Sequence, residues 1–294
     1  MTDAKVPRTL ADSTKTKYES SIAVLDNAGV PWKTDADETL KYLAKLSNSA
    51  IKVSLSAIKY KLGADAYPKE YQDKMNELQG VQRKKDDEQM LSEKQVENFV
   101  TYEELLKQQQ RLGAKEDKSE NDWKDYVVAS LYTLNPPVRA DYGDMRIFKI
   151  RDGKGKRKGN ELVWGKKKAF FVFREYKTSA TYGVVEVAVS PALYEVLTTW
   201  FAHLGKMPKY LLGKPIAPYD LLNYIERAFK PTKKRVGIDL LRHAYIHHFL
   251  PAISTDIKAK QTLAKQMLHS VDRQAHYYPK NVSATQNGST LAKE

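Results

Sequence analysis

Arg139, Lys177, Arg242, His243, His269, Tyr277 and Tyr278 are the residues of this chain whose types and order could do chemistry. Arg139 lies in "LNPPVRADYGDMRI", Lys177 in "FREYKTSATYG", and Arg242 with His243 in "DLLRHAYIHHF". His269 and the tyrosine pair lie in "QMLHSVDRQAHYYPK". Planar guanidinium forks match the oxygens of a phosphate in a bidentate way. A tyrosine hydroxyl becomes a usable nucleophile when nearby cations favour its phenolate. Taken singly each residue is ordinary, because a lone Arg or Lys is usually a solvated charge and paired tyrosines are usually packing. Taken together they are the equipment for handling a phosphate anion.

The rest of the composition points the same way. Lys+Arg number 49 against 36 Asp+Glu, a formal net charge of 49 − 36 = +13, with a pI near 9.4. Such a field attracts polyanions, nucleic acid or anionic lipid. No strong basic amphipathic anchor and no run of 18 apolar residues is present, so nucleic acid is the expected partner and no membrane is expected; which nucleic acid, double-stranded DNA included, composition does not say. The N-terminal "MTDAKVPRTLADSTKTKYE" has no apolar core, so no signal peptide is expected and the location should be intracellular. The absence of cysteine excludes disulfides, thiolate nucleophiles and Cys-based zinc sites. No "GxxxxGK[ST]" and no acidic metal cluster appears, which agrees with a chemistry that needs no cofactor and no metal.

These residues need elements to hold them. The chain begins with helical patterns. Ser13 can cap a helix in which Tyr18, Ile22 and Leu25 share a face, and Leu40, Leu43 and Leu46 mark a second. A third carries Ile51, Leu55, Ile58 and Leu62 on one stripe, with Lys52, Ser56 and Lys59 opposite; a fourth covers roughly 71–78. The basic stripe is either a solvated face or a DNA contact. "QGVQRKKDDEQMLSEKQ" is polar and reads as a linker over 81–95. Helical pattern resumes at "YEELLKQQQRL" and at "WKDYVVASLYTL", where Trp123, Val127 and Leu131 form a core face. Then "MRIFKI", "NELVW", "KAFFVFREYK" and "YGVVEVAV" are short β-branched and aromatic runs, separated by "RDGKGKRKGN" and "WGKKK". They suggest a small antiparallel sheet whose loops offer Lys154, Lys156, Lys166 and Lys167 to phosphates. After Pro191 the chain turns helical again, and "NVSATQNGSTLAKE" reads as a flexible tail. The expectation is a mainly α fold with a small antiparallel β-sheet: a helical unit over 1–80, a linker over 81–95, a second domain over 96–280, and a tail over 281–294.

The order Arg, Lys, Leu-Arg-His, His, Tyr resembles the tyrosine recombinase (phage-integrase) superfamily. That family's second box, roughly "L-R-H-x-x-x-T", is matched at Leu241, Arg242 and His243. Its third, roughly "L-G-H-S", is matched by "MLHS", and the family's nucleophile lies nine residues beyond the His, at Tyr278. "PPVRADYGDM" looks closer to versions from eukaryotic mobile elements and large DNA viruses. The resemblance covers about 95–280. The N-terminal helices look like the family's core-binding domain in architecture only. Two positions depart from the pattern. Asp239 stands where the family has His or Lys, and Leu268 where it has Gly. An ionised carboxylate repels phosphate, so either that role is dispensable or another group such as His243 or His247 serves, His243 being equally readable as a structural helix residue.

The resemblance implies a site-specific recombinase or integrase, acting as a tetramer when two DNA sites are paired. Arg139 and Arg242 would hold the scissile phosphate, His269 would donate a further hydrogen bond, and Lys177 would protonate the 5′-oxygen leaving group. Tyrosine would attack to give a 3′-phosphotyrosyl link. The nine-residue offset favours Tyr278. Pro279, which pushes the residue before it out of the helical region, leaves Tyr277 as the alternative. Two other functions fit the same residues. One is relaxation of supercoils, as a type IB topoisomerase. The other is DNA binding without cleavage, for which Asp239 is the best support.

Overall fold

The computed structural model describes residues 10, 12–150 and 157–282. Lys154, Lys156 and most of the expected tail lie outside the described residues. The chain divides into two compact units, Met1–Asp87 and Glu88–Glu294.

The first unit is built from helices α1 (Asp12–Asn27), α2 (Ala36–Leu43), α3 (Asn48–Leu62) and α4 (Lys69–Glu88), the last ending at the boundary. Asp35 caps α2 and Ser47 caps α3, each through a side-chain oxygen that accepts a backbone N–H. The stripes read from the sequence close on one another: Ile22, Leu25, Leu43, Ile51, Leu55 and Ile58 are buried, joined by Trp32 and Tyr71. Leu46, expected on the second stripe, is exposed. Helix α4 is much longer than the expected 71–78 and takes in half of the expected linker. Its Lys, Glu, Gln and Arg residues are good helix formers, so a polar stretch need not be a coil.

The second unit begins with α5 (Glu93–Glu97), α6 (Tyr102–Ala114) and α7 (Glu120–Thr133). All three start at reciprocal caps, Ser92 with Gln95, Thr101 with Glu104, and Ser119 with Asp122. Four strands follow, β1 (Arg146–Lys149), β2 (Glu161–Trp164), β3 (Ala169–Phe173) and β4 (Val185–Ala188), in spatial order β1-β2-β3-β4. A short helix, α8 (Ser179–Tyr182), sits in the β3–β4 connection. The chain ends in α9 (Pro191–His203), α10 (Pro218–Phe229), α11 (Ile238–Phe249), α12 (Ile257–Gln266) and α13 (Val271–His276).

The sheet corrects one expectation. β2–β3 and β3–β4 are antiparallel, but β1 pairs with β2 in parallel, Arg146 opposite Glu161. A parallel neighbour needs a connection that returns the chain to its starting end. The Gly- and Lys-rich composition of residues 150–160 resembles a hairpin loop and does not reveal which way the chain leaves it.

Asn160, 5% exposed, ties this sheet to the loop that follows α7. Its Oδ1 accepts from the backbone N–H groups of Arg174 (3.0 Å) and Glu175 (3.1 Å). Its Nδ2 donates to the carbonyls of Asp141 (3.3 Å) and Glu175 (3.0 Å). One carboxamide thus holds the exit of β3 against the segment that carries Arg139. Asn160→Ala should lower the unfolding free energy by about 2–4 kcal/mol, since it removes these bonds and strands buried partners. Urea denaturation measures this, and a loss under about 1 kcal/mol would show that the carboxamide does not hold these segments together.

Candidate active site

Helix α7 stops before Pro136 and Pro137, which cannot continue it. The chain then turns through Val138, 1% exposed, to Arg139, which is half-buried. The Tyr132 hydroxyl donates to the Arg139 carbonyl at 2.6 Å and fixes the backbone there. Asp141 follows two residues on. Burial raises its pKa, and the charges of Arg139 and Arg242 oppose that rise, so its carboxyl lies in the field of both arginines.

Arg242 is at the centre. It lies on the inward face of α11 with Leu241, Ala244 and Tyr245, and its side chain is 0% exposed. Nη1 donates to the Pro137 carbonyl at 2.7 Å and Nη2 to the Met267 carbonyl at 3.2 Å. Its Nε has no partner. Burial lowers the pKa of this guanidinium, while the Tyr277 hydroxyl acts in the opposite sense. The Tyr277 ring covers the guanidinium, with 4.7 Å from Cζ to the ring centroid.

The turn after α12 brings in His269. Leu268 N–H donates to the Lys265 carbonyl and His269 N–H to the Ala264 carbonyl, each at 3.1 Å. These two bonds form a Schellman motif, which places Leu268 at the left-handed position. Its φ is +58°. Glycine adopts that conformation freely, whereas leucine does so at a cost of about 1–2 kcal/mol. The Leu268 side chain is 2% exposed and its burial in the core offsets the strain. The departure from the family's glycine is therefore absorbed without unwinding the turn.

His269 is 4% exposed. Its Nδ1 lies 2.8 Å from the Ser270 carbonyl, and its buried Nε2 has no partner. A carbonyl only accepts, so Nδ1 carries the proton and the Nε2 of the neutral ring holds a lone pair. The resemblance implied a donor at this residue. In this structure Nε2 is an acceptor. Burial first, then the charges of Arg242, Arg139 and Arg273, pushes the pKa down to about 4.

Tyr277 and Tyr278 separate. Tyr277 is 5% exposed and its ring lies among Arg242, His243 at 4.9 Å, His269 at 5.6 Å and Arg273 at 5.7 Å. His243 is buried beneath it and donates from Nδ1 to the Tyr277 carbonyl at 2.9 Å. His243 thus holds the tyrosine backbone, which matches the structural one of the two roles open to it from the sequence. Tyr278 turns the other way and stacks on His247 at 5.3 Å and 18°. The tyrosine on the cluster is Tyr277, not the nine-offset Tyr278. Both lie just past the end of α13, where the chain leaves the helix and sends the two rings to different partners. Beyond the pair, Lys280 N–H donates to the Gln89 carbonyl at 3.0 Å, and the Asn281 carboxamide bonds both backbone groups of Leu91 at 2.9 Å.

Lys177 is exposed in the loop between β3 and α8. The Thr178 hydroxyl next to it donates to the Leu268 carbonyl at 3.0 Å, which brings this loop to the His269 turn. Asp239 lies exposed in the first turn of α11, where a carboxylate suits the helix dipole. It lines an open cleft of about 600 Å³ with Arg139 and Arg235. Lys166 and Lys167 are exposed between β2 and β3. In the first unit, Lys52 and Ser56 are half-buried on α3, and Lys59 donates to Gln72 at 2.9 Å. Asp141, Thr178, Arg273 and Asn281 were not singled out from the sequence. Asp141 and Thr178 each lie within two residues of a candidate that was, and proximity was their only signal.

No family model matches the sequence, and neither does any curated protein. Solved structures align with the chain at low sequence identity. A XerH site-specific recombinase bound to difH substrate in a pre-cleavage complex has TM-score 0.48 and 12% identity, over 96% of this chain and 85% of that one. XerH bound to palindromic difH substrate in a post-cleavage complex has TM-score 0.44 and 13% identity, over 91% and 81%. XerA recombinase has TM-score 0.41 and 13% identity, over 95% and 99%. Among the described residues no group of His, Asp and Glu could hold a metal ion, and no helix is long and apolar enough to cross a membrane.

The buried histidines make stability depend on pH. His269 has an ordinary value of 6.5 when unfolded and about 4 when folded. Between these values the unfolded chain takes up a proton that the folded chain refuses. Its contribution is therefore complete above about pH 6.5 and falls as pH drops toward 4. His243 and His247, also shifted down by burial, act in the same direction. The urea midpoint should decline across this window, and His269→Gln should decline less steeply. Parallel slopes for the two proteins would contradict this reading.

Proposed function

We propose that this protein cuts and rejoins double-stranded DNA through a phosphotyrosyl intermediate, as a site-specific recombinase. The observation that carries the proposal is the set of buried nitrogens around one phenol. Arg242 Nε and His269 Nε2 lack partners beside Tyr277, while Arg139 stands half-exposed at the edge. Buried polar atoms are normally satisfied, so unsatisfied ones converging on a reactive side chain suit an absent oxyanion.

The steps follow from the chemistry of the groups. Arg139 binds a non-bridging oxygen of the scissile phosphate, and the Tyr277 ring moves off Arg242 so that the second guanidinium reaches the phosphate. Neutral His269 takes the phenolic proton at Nε2. The Tyr277 oxygen forms a bond to phosphorus. The bond from phosphorus to the 5′-oxygen breaks, and Lys177 gives that oxygen a proton. The imidazolium of His269 then donates to the phosphate, the role expected of it from the resemblance. Reversal with a different 5′-hydroxyl rejoins the strands, and the phosphodiester energy is retained in the tyrosyl link. Lys52, Ser56, Lys59, Lys166 and Lys167 contact the backbone of the duplex, and four copies pair two sites.

A second reading, DNA binding without cleavage, is favoured by one observation. The Arg242 side chain is 0% exposed, so no phosphate touches it until Tyr277 leaves. Nicked duplexes spanning the DNA that flanks the gene separate the two. The wild-type protein should form a covalent band that survives denaturation. Tyr277→Phe should abolish the band, and Tyr278→Phe should keep it within about tenfold of wild type, as for a residue outside the reacting set. Loss in Tyr278→Phe alone would assign the nucleophile to Tyr278. Tight binding with no band at any site would favour the binding protein.

A further inference from the structure

We infer that Thr178 is a positioning residue for Lys177, holding the loop of the general acid against the His269 turn. The inference rests on the phosphoryl-transfer reading above. Lys177 is an exposed lysine on a loop, and by itself such a side chain samples many positions. Its neighbour is the anchor. Thr178 occupies the N-cap position of α8, where a threonine oxygen ordinarily accepts from the first helical N–H groups. Here it makes no side-chain cap bond. Its hydroxyl instead donates outward to the Leu268 carbonyl at 3.0 Å.

That carbonyl is available because of the strained turn. Leu268 lies just past the end of α12 with φ +58°, so its C=O is outside the helical ladder. The same peptide leads into His269. One hydrogen bond therefore relates the donor of the leaving-group proton to the base that accepts the phenolic one. The loop is stiff within itself, since the Tyr176 hydroxyl donates to the Gly183 carbonyl at 2.8 Å and α8 fills the span. It is not packed solidly onto α12. A cleft of about 320 Å³, lined by Tyr176, Tyr182, Gln261, Leu268 and His269, separates them. A stiff loop standing over a cleft is placed by its tether.

The test uses the full-length protein with Thr178→Val, which keeps the shape and removes the hydroxyl, and Thr178→Ser, which keeps the hydroxyl. Single-turnover covalent complex formation is measured on two duplexes. One has an ordinary scissile phosphate. The other has a bridging 5′-sulfur, a better leaving group that needs no proton. Thr178→Val should slow the ordinary substrate about tenfold, part of the usual general-acid contribution, and should leave the sulfur substrate within about twofold. Thr178→Ser should match wild type on both. Equal slowing on both substrates, or no slowing on either, overturns the inference. If wild type forms no covalent complex on either duplex, the phosphoryl-transfer reading fails. The tether is then judged by backbone order parameters: the Lys177 amide should drop below about 0.6 in Thr178→Val and stay ordered in Thr178→Ser. Unchanged order in Thr178→Val overturns it.

Discussion

A buried guanidinium organises the second unit. Arg242 is withdrawn from solvent and donates to the Pro137 and Met267 carbonyls, one on each side. Removing such a charge from water costs several kcal/mol unless it is well paired. The two carbonyls, the Tyr277 ring and the nearby carboxylates of Asp141 and Asp239 offset that cost. The Pro137 bond fixes the segment that carries Arg139. The Met267 bond fixes the turn that carries His269. Three regions far apart in sequence thus meet at one side chain, which takes a carbonyl acceptor from two of them.

The turn at Leu268 is the second constraint. A leucine in the left-handed region is strained, and its buried side chain keeps it there. The reversal turns His269 inward, lets Nδ1 meet the Ser270 carbonyl, and leaves the buried Nε2 without a partner. The tautomer follows from that single contact, and in the proposed reaction it leaves Nε2 as the lone pair that takes the phenolic proton. Farther along, the Asn281 clasp on Leu91 closes the far end of the tyrosine segment. The phenol is therefore held from both directions.

Much of this was legible in the residues, for identifiable reasons. Apolar stripes at helical spacing, such as Ile51, Leu55 and Ile58, place core faces because burial rewards periodicity. The four β-branched runs fell where strands form. What the residues concealed depends on tertiary partners. Parallel pairing of β1 with β2 is a matter of strand direction, which the composition of the runs does not carry. The helical continuation of α4 reflects propensity without amphipathic pattern. His243 looked like a possible phosphate contact, and it is a backbone anchor because α11 turns it under the tyrosines. The choice between Tyr277 and Tyr278 is made past the end of α13 by packing, one ring on Arg242 and the other on His247, and spacing does not show it.

The account stands on the phenol of Tyr277 being the group that meets phosphorus beside Arg242. Mass spectrometry of a protease digest of the trapped protein–DNA complex, with the adducted residue located by fragmentation, tests this most directly. The account predicts a nucleotide phosphate on the Tyr277 oxygen. An adduct on Tyr278 would contradict it, and so would a digest with no adducted tyrosine.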